Sequence, residues 1–186
     1  MFTRVNSGSL KGKKIELPDK ETTRSTKSLV KKSLFDTISY NLIDKPFVEV
    51  FGGSGSIGIE AVSKGASISY FIECDRASYK ILENNCKSII PNSSKIYFGD
   101  SFVILKDIIK ELKSKTIFYF DPPFAIRDGF DNVYKESIEL IKYIPKELIE
   151  LIIVEHHTKE SIEIQTLNLL KSKKFGNTTL SYYNVL

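Results

Sequence analysis

Two cysteines among 186 residues, Cys74 and Cys86, supply neither a disulfide framework nor the spacing of a metal-binding cluster. No metal is expected, the pair suits a reducing compartment, and both read as small core or helix residues. Long hydrophobic runs are missing too. Nothing approaches the roughly 20 apolar residues of a membrane span, and the start lacks the basic-then-apolar order of a secretion signal. A cytoplasmic protein without membrane contact is the expectation. Repeats, low-complexity tracts and interdomain linkers are also absent, so the length fits one domain with a sizeable core.

Charge is present but unevenly spread. The chain carries 27 basic and 23 acidic residues; positions 1–40 hold nine against four, an excess of five, and the remainder 18 against 19. The positive surplus is therefore an N-terminal feature. It suits contact with a phosphate backbone, with Lys11, Lys13, Arg24, Lys27 and Lys31 as candidate contacts, although a lysine-rich solvated surface gives the same count.

Along the chain, residues 2–6 and 13–17 alternate around Gly8 and Gly12 and predict a hairpin. Thr22–Lys27 could cap a following helix, predicted over Ser28–Ile43 from Leu29, Leu34, Ile38 and Leu42. Residues 1–44 thus read as a basic hairpin-and-helix extension, and 45–186 as the main domain. There strands and helices alternate: strands at 47–51, 67–72, 95–98, 116–120 and 151–155, helices at 57–64, 77–90, 101–112 and 132–143. A hairpin closes the chain over 169–175 and 178–185 around Gly176-Asn177. This is an α/β pattern: a doubly wound, mostly parallel sheet with a terminal antiparallel hairpin.

Two stretches carry chemistry. Thr116–Phe124 reads T-I-F-Y-F-D-P-P-F, a buried strand running into a rigid turn. Proline has no N–H and a fixed φ, so Pro122 and Pro123 end the ladder and hold Asp121 extended at the carboxyl end of its strand, where open α/β sheets bind ligands. A carboxylate, a backbone carbonyl and the Phe124 ring within four residues suit a planar amine on a stacked base. The second stretch, Gly53–Gly58, matches G-x-G-x-x-G between a strand and a helix, with Glu73 at the next strand end to accept from ribose hydroxyls. A nicotinamide or flavin dinucleotide is a candidate on that fingerprint. Glu49 argues otherwise, because an acid inside an apolar strand needs a partner and would gain nothing from a pyrophosphate.

Taken together, E-V-F-G-G-S-G-S-I-G-I-E-A at 49–61, Glu73, F-G-D-S at 98–101 and D-P-P-F at 121–124 resemble the motifs of class I S-adenosylmethionine-dependent methyltransferases, a Rossmann-like fold. They are most similar to the bacterial family that methylates the exocyclic N2 of a guanine in 16S ribosomal RNA. The likeness covers nearly the whole chain, including the opening R-V-N-S-G-S-L-K-G-K-K-I, V-K-K-S-L-F at 30–35 and L-I-I-V-E at 151–155. It implies that Glu49, Phe51, Gly53, Ser54 and Gly55 hold the methionine and adenosine portions of the cofactor. Glu73 would bind the ribose, with Cys74 beside the adenine, and Asp100 and Ser101 would meet the adenine amine and edge. Asp121 and the Pro122 carbonyl would bind the N2 amine, with Pro123 also contacting the substrate and Phe124 stacked on the base. Gly52 departs from the family's F-A-G-S-G, as do Ser28, Leu29 and Lys32 from its usual helix.

On this reading the amine is positioned for direct transfer, without a covalent enzyme intermediate. Neither cysteine lies in a Pro-Cys motif, which speaks against attack as in C5-pyrimidine methylation. The expected partner is 16S RNA in a small-subunit particle, acted on by a monomer. Alternatives are a DNA or protein amine methyltransferase using the same turn, and a non-catalytic RNA-binding assembly factor with this fold.

Overall fold

The structure is a computed structural model that describes residues 1–18, 24–123 and 132–185, and of residues 24–27 the backbone alone. Strands β1 (Phe2–Arg4) and β2 (Lys14–Glu16) form an antiparallel hairpin, and helix α1 (Arg24–Leu42) follows. A seven-stranded sheet contains β3 (Pro46–Glu49), β4 (Ile68–Glu73), β5 (Ser94–Phe98), β6 (Thr116–Phe120), β7 (Ile149–His157), β8 (Leu167–Phe175) and β9 (Thr178–Val185). Its connecting helices are α2 (Ser56–Ser63), α3 (Arg76–Ile89), α4 (Ser101–Glu111) and α5 (Val133–Lys142).

The spatial order is β5-β4-β3-β6-β7-β9-β8. Strands β3 to β7 pair in parallel, and β9 runs antiparallel between β7 and β8. This is the expected doubly wound sheet with its terminal hairpin. From β3 the chain builds outward through β4 and β5, then returns to lay β6 and β7 on the other side. The order reverses between β3 and β6, which opens a crevice at their carboxyl ends.

Strand β6 shows why the sheet needs no polar face. Ile117 and Tyr119 pack in one layer with Leu34, Ile38 and Leu42 of α1, while Phe118 and Phe120 pack in the other with Leu105 and Ile108 of α4. Buried on both faces, the strand is apolar throughout, as parallel strands under helices are. Helix α1 is thus part of the main core as well as the element following the hairpin. The hairpin is anchored through Val5 and Ile15, which pack with Ile59, Phe71, Leu82 and Cys86.

Some boundaries differ from those the sequence predicts. Helix α1 begins at Arg24 rather than Ser28, its polar first turn continuing the helix instead of only capping it. Strand β7 runs to His157 because β9 supplies partners beyond the parallel pairing, His156 facing Thr179 and His157 facing Thr178. Strand β3 is assigned only to Glu49, although the Val50 N–H still donates to the Tyr119 carbonyl at 3.0 Å. Among the described residues, no helix is long and apolar enough to cross a membrane.

Candidate active site

From β3 the chain turns through the glycine loop into α2. Gly55 holds the N-cap position at φ 77°, a left-handed conformation, and has no side chain to cap the helix. The acceptor comes instead from the preceding strand: the Gly58 N–H donates to Glu49 Oε2 at 2.8 Å. That amide and the positive end of α2 offset part of the cost of burying Glu49. The approach requires glycine at 58, since a Cβ there would sit 2.3 Å from the Phe71 ring. Across the loop, Glu73 accepts from the N–H of Gly53 at 2.8 Å and of Asp75 at 2.7 Å, fastening the loop to the start of α3.

At the end of β6, Asp121 and Pro123 are partly exposed and Pro122 is buried. Asp121 lines one cleft of about 120 Å³ with Glu49, Phe51, Gly53 and Ser54. The two stretches singled out in the sequence, some 70 residues apart, therefore meet at the topological switch point. Asp100 and Ser101 lie on the same sheet edge with their side chains engaged inside the protein. Asp100 caps α4 by accepting from the Phe102 N–H at 2.8 Å, and the buried Ser101 hydroxyl donates to the Val50 carbonyl at 2.6 Å. Cys74 is exposed in the turn after β4, not a core or helix residue. Partial desolvation and then the Glu73 carboxylate push its thiol up, so it is no poised thiolate. Cys86 is buried in α3, with its thiol pushed up to about 12 by burial.

The basic candidates separate. Lys11 and Lys13 are exposed on the hairpin. Lys31 is buried, its Nζ 3.2 Å from Glu60 Oε2 and 3.4 Å from the Arg4 carbonyl, so this lysine is engaged internally and not presented to a phosphate. Lys31 forms a wall between the cleft and a larger cavity of about 430 Å³, which Lys32, Asp36 and Lys64 also line and which contains no strand end. The side chains of Arg24 and Lys27, and all of Phe124, lie outside the described residues.

Several supporting residues escape a sequence reading. Asn85 is buried; its Nδ2 donates to the carbonyls of Glu16 and Ser54, both at 2.9 Å, and its Oδ1 accepts from the Glu16 N–H at 2.9 Å. One side chain thus clamps β2 to the glycine loop. Its only signal is a polar residue between Leu82, Cys86 and Ile89 on the inner stripe of α3. Glu60 accepts from the Asn6 and Ser7 amides at 2.8 and 2.9 Å while pairing with Lys31. Glu155 ends the apolar run L-I-I-V and receives the Tyr119 hydroxyl. Its signal is the one Glu49 gives, an acid where a strand should be apolar.

The donor set fits a cationic ligand better than an anionic one. Among the described residues, Glu49, Asp121 and Glu155 line the cleft, and the one lysine there, Lys31, is paired with Glu60. Among the described residues no three His, Cys, Asp or Glu side chains are grouped to hold a metal ion.

Residues 3–184 match the family model described as conserved hypothetical protein 95. A Buchnera aphidicola protein from Acyrthosiphon pisum named ribosomal RNA small subunit methyltransferase D is 28% identical over 181 residues, 96% of this chain and 90% of that one. The Escherichia coli K12 protein of the same name is 30% identical over 143 residues, 75% of this chain and 66% of its own. A solved Escherichia coli structure superposes with a TM-score of 0.79 at 24% identity, covering 100% of this chain and 98% of that one. Another structure, solved as a complex with SAH, shares the fold at a TM-score of 0.68 and 14% identity, over 91% of this chain and 53% of its own.

Proposed function

The chain belongs to the conserved hypothetical protein 95 family, and from that premise we propose that it methylates small-subunit ribosomal RNA with S-adenosylmethionine as donor, at the exocyclic N2 amine of a guanine. The observation that carries the proposal is the meeting of Asp121, at the head of the proline turn, with Glu49 and the glycine loop in one acid-lined cleft at the switch point. The names of the relatives support ribosomal RNA as the substrate class. The acid lining supports a sulfonium ligand over a dinucleotide.

S-adenosylmethionine, when bound, supplies an electrophilic methyl group on sulfur. Glu49, Phe51 and the loop Gly53–Gly55 would hold its methionine and adenosine portions, with Glu73, Cys74, Asp100 and Ser101 beside the ribose and adenine. Guanine N2 is a poor nucleophile because its lone pair is delocalised into the ring. Asp121 and the Pro122 carbonyl would accept its two hydrogens, favour a more pyramidal nitrogen and aim the lone pair at the methyl. As the new N–C bond forms, the methyl's bond to sulfur would break with its electron pair left on sulfur, and the nitrogen would give up one proton for Asp121 to receive and pass to water. Pro123 keeps the turn rigid and Phe124 would stack on the base, which must leave its own stack to enter. Lys11 and Lys13 on the hairpin, with Arg24 and Lys27 on α1, would face RNA phosphates. The enzyme is taken to act as a cytoplasmic monomer on a small-subunit particle.

Labelled S-adenosylmethionine incubated with small-subunit particles that lack modifications, followed by nucleoside analysis of the RNA, tests this directly. N2-methylguanosine is the expected product. Another methylated nucleoside would overturn the choice of amine. Calorimetric binding of the cofactor without RNA labelling would move the substrate to DNA or protein.

A further inference from the structure

Glu155 sits one strand over from Asp121 at the same depth. Val154 of β7 pairs with Phe120 of β6, so the two acids are the next residues on neighbouring parallel strands. Both line the cleft, and Glu155 is only 7% exposed. A phenol holds this corner. Tyr119, fully buried, donates its hydroxyl to Glu155 Oε2. Burial raises its pKa well above the ordinary value, and the Glu155 and Asp121 carboxylates raise it further, so the hydroxyl stays a donor and Glu155 the acceptor. Tyr134 of α5 is pushed up to about 12, first by burial and also by Asp121, Glu160 and Glu155. The Tyr134 hydroxyl itself accepts from the His157 N–H at 3.0 Å, two residues beyond Glu155.

The chemistry of the base gives that second acid a use. Guanine presents N1–H directly beside its N2 amine, a row of donors, whereas a purine without the 6-oxo group presents a bare N1 acceptor. A carboxylate next to the amine-binding turn matches the first and repels the second. We infer that Glu155 is a specificity-determining residue that accepts the N1–H of the target guanine while Asp121 and the Pro122 carbonyl take its N2 amine, Tyr119 fixing the Glu155 carboxylate from behind. The inference rests on the N2 reading above and adds which base edge is read.

The test uses small-subunit particles reconstituted with guanine or 2-aminopurine at the position found by the labelling experiment. 2-Aminopurine keeps the 2-amine but offers N1 as an acceptor. The wild-type enzyme should prefer guanine in kcat/KM by on the order of 10- to 100-fold. In Glu155→Gln the amide oxygen takes the Tyr119 hydroxyl and the NH2 turns toward N1, so the guanine rate falls, the 2-aminopurine rate rises, and the preference inverts. Equal loss on both bases would overturn the inference and leave Glu155 a structural residue. Should Glu155→Gln fail to fold, Tyr119→Phe, which removes the phenol's hydrogen bond to the carboxylate, should narrow the preference at least several-fold, and an unchanged ratio overturns the inference. Equal wild-type rates on the two bases would overturn it without any variant. Absence of N2-methylguanosine with guanine particles would instead reject the proposed function.

Discussion

At the scale of single residues, Asp121 is where chemistry and structure are most separable. It is partly exposed at a strand end, and the packing on both faces of β6 is complete without it. Asp121→Ala should therefore leave the fold and S-adenosylmethionine affinity within about twofold of wild type, while methyl transfer falls by roughly 10²-fold or more, the usual size of losing a preorganised acceptor. Calorimetry beside single-turnover labelling checks both numbers, and parallel loss of binding and turnover would make Asp121 structural. Its position was legible because proline chemistry leaves few alternatives. Lys31 was not, because a lysine among lysines gives no sign in sequence that it turns inward to meet Glu60 across the first turns of α1 and the middle of α2.

At the scale of elements, the doubly wound, mostly parallel sheet with its terminal hairpin followed from the alternation of strands and helices, and most boundaries fell within a few residues. The misses share a cause. Strand β7 outran its prediction because its final residues, polar by composition, are made strand by β9; pairing, not propensity, sets such ends. The contact between α2 and β4 was also hidden, since the reason for Gly58 lies in Phe71, thirteen positions away. Gly58→Ala forces a methyl into that ring and should lower stability by about 1–3 kcal/mol, read as an earlier denaturant midpoint. It should weaken cofactor binding as well, because Glu49 loses its approach to the helix end. Between β7 and β9, His156 is buried with Nε2 2.9 Å from the Ser181 hydroxyl, and burial lowers its pKa from 6.5. The neutral ring is favoured in the folded state and the unfolded chain binds the extra proton. Stability from this group is therefore full above pH 6.5 and is lost as pH falls through the lowered folded value. His156→Gln should flatten that part of the profile in thermal melts between about pH 7.5 and 5; an unchanged slope would assign the acid sensitivity elsewhere.

At the scale of the whole molecule, the charge asymmetry read from the sequence has a definite location. The exposed Lys11 and Lys13 stand on the hairpin, while Lys31 drops out of the surface count. Replacing Lys11 and Lys13 together by Gln should weaken binding to small-subunit RNA and reduce the slope of log K against log salt by about 0.7 for each phosphate that is no longer neutralised. Neither the melting temperature nor S-adenosylmethionine affinity should move. Filter binding across a salt series checks the slope, and an unchanged slope would assign RNA phosphate binding to other residues.

Asn85 joins these parts to one another. By holding both the N–H and the carbonyl of Glu16 and the carbonyl of Ser54, it ties the hairpin to the glycine loop, and Glu60 adds a second tie from α2. A partner that reached both the lysine-bearing tip and the end of β6 would have to match the span that these ties set between them.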